Sequence, residues 1–217
     1  SHKTPTNGSK PPAMFRQNYS SSLLEEAVDQ LATLPGVGRR TALRLALHLM
    51  AEPRENVEQF AGSLVRLKRD IRYCPTCGMI SDDGKCPVCS DPRRDGTIVC
   101  VVESLRDVLS IENTGQYNGL YHILGGIISP LDGIGPGDLR IRELTERLES
   151  GRIGEVVLAL STSMEGETTA YYLYKQIARF PVTVTAIARG VGFGDDLEYT
   201  DELTLGRSIK NRQIFKP

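Results

Sequence analysis

Four of the five cysteines in this 217-residue sequence form two closely spaced pairs. Cys74 and Cys77 flank Pro-Thr, and Cys86 and Cys89 flank Pro-Val after a short spacer. The Cys-x-x-Cys spacing lets two thiolates on one tight turn reach a single ion, and two such turns complete a tetrahedron around it. We therefore predict one structural zinc ion per chain, with no ligand position left open for water or substrate.

Two alternatives to a metal site remain open at this point. Disulfides would form a cross-linked island in an otherwise ordinary chain whose first residues are too polar for a secretory signal, so metal is favoured. A thioredoxin-like redox site needs one Cys-x-x-Cys near a βαβ pattern, rather than two pairs with a short spacer. The fifth cysteine, Cys100, lies in an apolar run, where a small buried side chain is a better interpretation than a nucleophile.

A second candidate site is a glycine turn between two helical patterns. In the sequence Leu-Pro-Gly-Val-Gly-Arg-Arg-Thr-Ala, Gly36 and Gly38 permit a tight turn with positive φ and close backbone approach. The helix that follows would present free N–H groups at the positive end of its dipole, beside Arg39 and Arg40, which suits a phosphate group. Arg44 falls on the same helix face as Arg40.

The alternative for this segment is a plain helical hairpin with a solvated basic face. The segment resembles the helix–hairpin–helix motif, which holds the nucleic-acid backbone without reading bases. That resemblance implies contact with DNA phosphates, which position a protein on DNA rather than specify a sequence. The expected DNA-binding residues are Gly36, Gly38, Arg39, Arg40 and Arg44.

Three glutamates form a third candidate site. Glu103 directly follows one apolar run, and Glu165 and Glu167 follow another within Ser-Thr-Ser-Met-Glu-Gly-Glu. Because ligands gather at the carboxyl ends of strands in α/β sheets, we expect these glutamates to meet at one rim of a sheet. The arrangement resembles the Toprim domain, the Mg²⁺-binding fold of topoisomerases, primases and related nucleases.

The resemblance is incomplete, because Ser161 and Ser163 stand where topoisomerase-type members carry two aspartates. Mg²⁺ is usually held by one or two carboxylates together with waters, so this exchange predicts weak or absent Mg²⁺ binding. Three tyrosines on a predicted helix, Tyr171, Tyr172 and Tyr174, are expected to pack rather than to attack phosphate. We therefore expect a binding scaffold, with the remaining glutamates as a partner-binding surface or vestigial metal site. A Mg²⁺-dependent nuclease or topoisomerase-like enzyme is the alternative.

These sites require a multidomain α/β chain to position them. Charged residues make up 24% of the chain and hydrophobic residues 40%, which is typical of globular proteins. The net charge of −1 means that any attraction to DNA must come from a local basic patch. From residue 97 onward, apolar runs alternate with helical stretches, which predicts a parallel sheet covered on both faces. The predicted strands are 97–102, 121–124, 155–160 and 182–187, and the predicted helices are 105–112, 139–149 and 168–180.

A glycine hairpin, a four-cysteine module and a Toprim-like domain, in that order, resemble the RecR family of bacterial recombination mediators. Three stretches carry this resemblance. They are Leu-Pro-Gly-Val-Gly at 34–38, the segment from 89–95 that leads into Cys-Val-Val-Glu-Ser at 100–104, and Ser-Pro-Leu-Asp-Gly-Ile-Gly-Pro at 129–136.

The resemblance implies a non-enzymatic, cytoplasmic and nucleoid-associated protein that binds single-stranded, double-stranded or gapped DNA. It implies that the protein acts with RecO, and in some pathways RecF. Together they help to load the RecA recombinase onto single-stranded DNA coated by single-strand-binding protein. It also implies a homo-oligomer, a ring tetramer built through the N-terminal helical and C-terminal regions. A scaffold that contacts DNA only through partners is a further alternative, and it predicts that loss of Arg40 and Arg44 leaves DNA binding intact.

Domain bounds follow from the same patterns. We predict a disordered or tag-like tail at 1–20, a helix–hairpin–helix region at 21–72, a four-cysteine zinc module at 73–96, a Toprim-like domain at 97–194 and a C-terminal oligomerisation segment at 195–217. Acidic residues precede basic ones in the last of these segments. A solvated charged face is one interpretation of these charges. The other is a complementary contact between subunits or with a partner, which such charges would orient.

Overall fold

The computed structural model describes residues 21–188, 190–192, 196–212 and 214. The predicted tail at 1–20 therefore lies outside the described residues, as does part of the predicted C-terminal segment. The chain divides into two compact units, residues 1–69 and residues 70–217. No helix in the described part of the chain is both long and apolar enough to cross a membrane.

The first unit is helical. It contains α1 (Ser22–Leu31), α2 (Arg39–Ala51) and α3 (Arg54–Asp70), which ends at the boundary with the second unit. The Ser21 hydroxyl accepts a hydrogen bond from the Leu24 N–H at 3.5 Å, which caps the start of α1. Val28 of α1 packs against Ala42 and Ala46 of α2, and these three residues form the buried centre of the unit.

The second unit begins with the four-cysteine module. A two-residue strand β1 (Arg72–Tyr73) pairs antiparallel with β2 (Ile80–Ser81), and a single helical turn, α4 (Pro87–Ser90), follows. The main sheet then forms from β3 (Asp95–Val102), β4 (Gly119–Ile123), β5 (Glu155–Leu158) and β6 (Thr183–Ala186). All neighbouring strands are parallel, in the order β4-β3-β5-β6.

Four helices accompany this sheet. They are α5 (Leu105–Asn113), α6 (Ile141–Leu148), α7 (Met164–Ile177) and α8 (Glu202–Lys210). The alternation of parallel strands and helices confirms the predicted α/β class for this part of the chain.

The central strand β3 has apolar residues on both faces, because successive side chains of a strand point in opposite directions. Val99 and Val101 belong to a core that includes residues of α6 and α7. Cys100 and Val102 belong to a second core, which includes Tyr121 and the cysteines of the four-cysteine module. The module and the sheet thus share one buried interior.

Cys100 is buried, and burial raises the pKa of its thiol to about 12. The interpretation of Cys100 as a small buried side chain is therefore confirmed. The expectation for the tyrosines of α7 was wrong in two cases out of three. Tyr172 packs against the core, but Tyr171 and Tyr174 are exposed because they lie on the outer face of the helix.

Candidate functional site

The four paired cysteines converge on one point. The Sγ atoms of Cys74, Cys77, Cys86 and Cys89 all lie within 4.8 Å of one another. The first three side chains are fully buried and Cys89 is partly exposed. Among the described residues, this is the only group of three or more potential metal-ligating side chains whose ligand atoms come together. Four thiolates in this arrangement fit a tetrahedral zinc ion with no open position.

Backbone hydrogen bonds hold each cysteine pair in a tight turn. The Gly78 N–H donates to the Cys74 carbonyl at 2.9 Å, and the Ser90 N–H donates to the Cys86 carbonyl at 3.0 Å. The Met79 N–H donates to Cys77 Sγ at 3.4 Å, and such N–H groups orient a metal-binding sulfur and stabilise its negative charge. Backbone hydrogen bonds therefore orient the sulfur atoms independently of a bound ion.

The thiols differ in acidity because their surroundings differ. Burial acts to raise the pKa of Cys74, but backbone hydrogen bonds from neighbouring residues of the module outweigh it and lower that pKa to about 6. Burial raises the pKa of Cys86 to about 11. A hydrogen bond with the Cys89 side chain, together with burial, raises the pKa of Cys77 well above its ordinary range. A divalent cation would supply the positive charge that stabilises all four thiolates at once.

Gly78, which follows the first cysteine pair, is sensitive to substitution for two independent reasons. Its φ of +80° is strained for any other residue, and a Cβ atom there would lie 2.8 Å from Arg140 Nε and 3.2 Å from the Ile123 carbonyl oxygen. We expect Gly78→Ala to lower the free energy of unfolding by about 2–4 kcal/mol, measured by urea denaturation. Gly115→Ala is the matched control, since Gly115 has a φ of +64° and open space around it. Equal losses in the two variants would contradict the crowding argument.

The glycine turn of the first unit differs in part from its prediction. Gly36 has a φ of +78°, as expected for a tight turn. Gly38 instead has an ordinary extended backbone, with φ −78° and ψ 166°, and precedes α2 without a side-chain cap. A Cβ atom would meet nothing within 4 Å at either glycine, so no close backbone approach is present within the described residues. The first N–H groups of α2 are left without a capping side chain.

The arginines of α2 fall into two groups. Arg39 donates to Asp29 of α1 at 2.5 Å, so its charge is already paired. Arg40 and Arg44 are exposed, and the described part of the chain offers neither of them an ion pair. The free positive charge at the start of α2 therefore comes from Arg40 and Arg44.

At the carboxyl end of the sheet, Glu103 and the segment after β5 meet as predicted. The Ser161 N–H donates to Glu103 Oε1 at 2.7 Å. The hydroxyls of Ser161 and Ser163 lie 2.8 Å apart and share a hydrogen bond. Ser163 also caps α7 by accepting from the Gly166 N–H at 3.1 Å. The two serines are thus committed to local structure rather than directed toward a shared ion.

The other two glutamates of the rim turn to different partners. Ser129 donates to Glu165 Oε1 at 2.8 Å, and Arg207 of α8 donates to Glu167 Oε1 at 2.7 Å. The carboxylates of Glu103, Glu165 and Glu167 therefore do not form a converging ligand group within the described residues. This geometry offers three separate acidic contacts instead of one metal cage.

Comparison with known proteins decides the family. The chain is 59% identical over 199 residues to the protein named Recombination protein RecR of Porphyromonas gingivalis, covering 92% of this chain and 96% of that protein. It is 54% identical to the protein of the same name of Bacteroides fragilis, covering 93% and 98%, and 50% identical to that of Flavobacterium johnsoniae, covering 91% and 96%. The chain belongs to the RecR family.

Four family models match successive parts of the chain. They describe a RecR helix-hairpin-helix at 24–68, a RecR four-cysteine zinc finger domain at 71–91, a Toprim domain at 97–188 and a RecR C-terminal part at 190–213. This order confirms the architecture predicted from the sequence. The zinc-finger match contains all four converging cysteines, so family and geometry agree on the metal that fits there.

A partly buried ion pair near the zinc finger was not predicted from the sequence. Arg94 donates to both carboxylate oxygens of Glu112, at 2.8 and 2.6 Å, and the Tyr121 hydroxyl donates to the same carboxylate at 2.5 Å. The pair joins the turn after the zinc finger of this RecR-family chain to the end of α5. Its members are 18 residues apart and show no periodic pattern, so only the folded structure reveals them.

Proposed function

We propose that this chain is a non-enzymatic recombination mediator that binds DNA. With RecO, and in some pathways RecF, it would help to load RecA onto single-stranded DNA coated by single-strand-binding protein. Membership of the RecR family supports the recombination role. The observation that carries the DNA contact is the uncapped start of α2 with exposed Arg40 and Arg44 beside it.

The proposed DNA contact uses backbone N–H groups and two arginines of α2. N–H groups at a helix start attract anions, and guanidinium groups suit phosphate oxygens. Gly36 and Gly38 leave the approach to these N–H groups free of side chains. Arg39 would contribute less than Arg40 and Arg44, because Asp29 already neutralises it. Such contacts hold the DNA backbone without selecting a sequence.

The zinc site is proposed as structural. Cys74, Cys77, Cys86 and Cys89 would hold one ion, which would supply the charge that stabilises their thiolates. Because the module shares a core with the sheet, the ion would stabilise the second unit as a whole.

The rim of the sheet is proposed as a partner-contact surface. Ser161 and Ser163 supply hydroxyls where two carboxylates would be needed to fix Mg²⁺ firmly, and the three glutamates have separate partners. Glu103 would therefore face a protein partner rather than a catalytic metal. The arrangement favours recognition over phosphoryl chemistry.

We expect the double variant Arg40→Gln and Arg44→Gln to bind DNA about tenfold more weakly at constant salt, for every sequence tested. The slope of log affinity against log salt on single-stranded DNA should fall by about 0.7 for each phosphate that the variant no longer neutralises. Fluorescence anisotropy with single-stranded, double-stranded and gapped oligonucleotides measures both quantities.

The matched control is Arg106→Gln with Lys175→Gln, which removes the same charge from exposed positions on α5 and α7. Identical affinity and salt slope in both double variants would place the DNA contact away from the start of α2. A wild type that binds no DNA on its own would instead favour a scaffold that reaches DNA through partners. A loading assay with RecO, RecA and coated single-stranded DNA then tests the mediator role separately.

Self-association is proposed from the surface of α3. Phe60, Leu64 and Leu67 are spaced by four and three residues, so they lie along one helix face. They are 48%, 53% and 58% exposed, and none of the residues of α3 is buried. An apolar stripe of this kind on an amphipathic helix normally packs against another element. The partner of this stripe that fits the family resemblance is the same helical region in a second copy of the chain.

We expect Phe60→Glu with Leu64→Glu to lower the assembly state, because charges on the stripe would have to be buried between copies. Light scattering coupled to size-exclusion chromatography gives the mass of each species. Gln59→Glu with Ser63→Glu adds the same charge beside the stripe and should keep the wild-type mass. A wild type that is monomeric at every concentration, or a stripe variant of unchanged mass, would disprove this contact.

A further inference from the structure

A cationic cleft lies at the amino-terminal end of the parallel sheet, where β3 and β4 begin. It has a volume of about 440 Å³ and is lined by the four-cysteine module, by the strand starts and by the turn after α6. Lys85, Arg147 and Arg152 line it together with the partly exposed zinc-finger residue Cys89, and the lining contains no aspartate or glutamate. We propose that this cleft binds a phosphate group. The cleft is distinct from the hairpin of the first unit and from the rim at Glu103.

Arg147 provides the strongest support. Its Nη1 atom donates to the Tyr121 carbonyl oxygen at 2.6 Å and lies 3.4 Å from His122 Nδ1. Its Nη2 atom is buried and has no hydrogen-bond partner among the described residues. A buried guanidinium donor without an acceptor is costly, since it has lost water and gained nothing in return. Because Arg147 lines the cleft, an anion there would offset the charge of this guanidinium.

The neighbours of Arg147 do not supply the missing negative charge. His122 is fully buried, and burial lowers its pKa to about 4, so the ring is neutral at neutral pH. The Arg140 side chain, near the same histidine, is a further cation. No described carboxylate forms an ion pair with Arg147, whose Nη1 atom instead donates to a backbone carbonyl.

The other lining groups suit an anion with several oxygens. Lys85 and Arg152 are exposed and make no ion pair with any described residue. Ser150 donates to the Arg147 carbonyl at 2.9 Å and accepts from the Arg152 N–H at 3.3 Å, which orders the turn that carries Arg152. Thr97 also lines the cleft, but its hydroxyl already donates to Asp95, so its hydrogen is not free for an anion in the cleft.

Phosphate is the ligand chemistry that matches this set. A guanidinium fork and an ammonium point charge together satisfy a tetrahedral anion better than a carboxylate with two oxygens. The phosphate could belong to a DNA backbone or to free phosphate or a nucleotide. With DNA as the source, the inference rests on the proposed DNA-binding function; with free phosphate it does not.

The test compares three proteins: the wild type, Lys85→Gln with Arg152→Gln, and the control Arg106→Gln with Lys175→Gln. Arg147 is left in place because its bond to the Tyr121 carbonyl also supports the fold. The first probe is inorganic phosphate, titrated at constant ionic strength against chloride, with heat of binding and melting temperature as readouts. The second probe is a short fluorescent single-stranded oligonucleotide over a range of salt.

We expect phosphate to bind the wild type and the control, and the cleft variant to lose at least about nine-tenths of that affinity. We expect the cleft variant to bind the oligonucleotide about three to tenfold more weakly than the control, with a salt slope lower by about 0.7 for each phosphate left without a cation. A DNA effect without a response to inorganic phosphate supports a backbone phosphate. A phosphate response with unchanged DNA affinity supports a free phosphate or nucleotide.

If the cleft variant matches the control with both probes, the proposal is overturned. The Arg40 and Arg44 variant, measured in the same DNA assay, keeps the two ideas apart. If the Arg40 and Arg44 variant binds DNA more weakly and the cleft variant does not, the proposed function is supported and only the phosphate site in the cleft is rejected. A weakening in the cleft variant alone would retain this site and reject the hairpin contact.

Discussion

A Cys86→Ser variant should lose the zinc ion and melt about 10 °C or more below the wild type. The expected loss is large because the four cysteines are part of a shared core, in which Cys77 and Met79 lie with Tyr121 and Ile123 of β4. The Ile123 N–H also donates to the Cys77 carbonyl at 2.7 Å. Removing one ligand therefore disturbs the edge of the parallel sheet as well as the module.

Zinc content per chain and melting temperature, measured on the same samples, check this expectation. Cys100→Ala is the matched control, because it removes a buried thiol outside the converging group and should keep one zinc per chain. If Cys86→Ser does not fold, chelation of wild-type zinc gives the same information, since release should coincide with loss of sheet structure. Full zinc content in Cys86→Ser, or release without any change in the sheet, would contradict the proposed structural role.

The second large effect is expected at the ion pair of Arg94 and Glu112. We expect Arg94→Ala to lower the free energy of unfolding by about 2–4 kcal/mol, because it leaves a half-buried carboxylate without its guanidinium. Only 15% of the Arg94 side chain and 31% of the Glu112 side chain are exposed, so water replaces the missing guanidinium poorly. Urea denaturation of both proteins measures the difference.

The adjacent Arg93 offers a control of equal charge. It pairs with Asp91, but 87% of its side chain is exposed, so Arg93→Ala should lower the free energy of unfolding much less than Arg94→Ala does. Equal losses in the two alanine variants would show that burial of the pair does not matter.

The same pair should make stability depend on pH in a defined direction. The hydrogen bonds from Arg94 lower the pKa of Glu112 below its ordinary value of 4.5. A carboxyl group with a lowered pKa in the folded state contributes stability above its unfolded pKa, and this contribution disappears as pH falls through the folded pKa. The stability gap between wild type and Arg94→Ala should therefore be full near neutral pH and shrink below pH 4.5. A gap that is constant down to lower pH would refute the assignment.

The metal site could be predicted almost completely from the sequence, since two Cys-x-x-Cys turns allow few other geometries. The class of the second unit was also predictable, because buried parallel strands read as continuous apolar runs. The starts of the strands were predicted less accurately. β3 begins at Asp95 and β4 at Gly119, each two residues before the predicted start. The polar residues and glycine at these strand ends do not continue the apolar pattern by which a strand is predicted. They belong to the strand only because they pair with a neighbouring strand.

The rim was predicted in position but not in detail. The sequence places Ser163 where an aspartate would be a metal ligand, and the structure adds that Ser163 caps α7, so that the helix begins at Met164 instead of at 168. The hydrogen bond from the Gly166 N–H to Ser163, which shows the cap, is not visible in the sequence. The partners of Glu165 and Glu167 come from distant segments, and no local pattern points to Ser129 or Arg207. Hydrogen bonds and ion pairs between side chains far apart in the sequence are the part of a site that is hardest to predict from a single sequence.

The position of the four cysteines in the chain has a consequence for synthesis. All four precede Asp95, so the module is complete before any strand of the parallel sheet has been made. Ile123, which binds the Cys77 carbonyl, arrives only later. If metal binds when the cysteines first emerge, the loaded module becomes a ready surface on which β4 can dock as translation proceeds. A shortage of zinc during growth would then act during translation, because nascent chains would lack the folded module on which β4 docks.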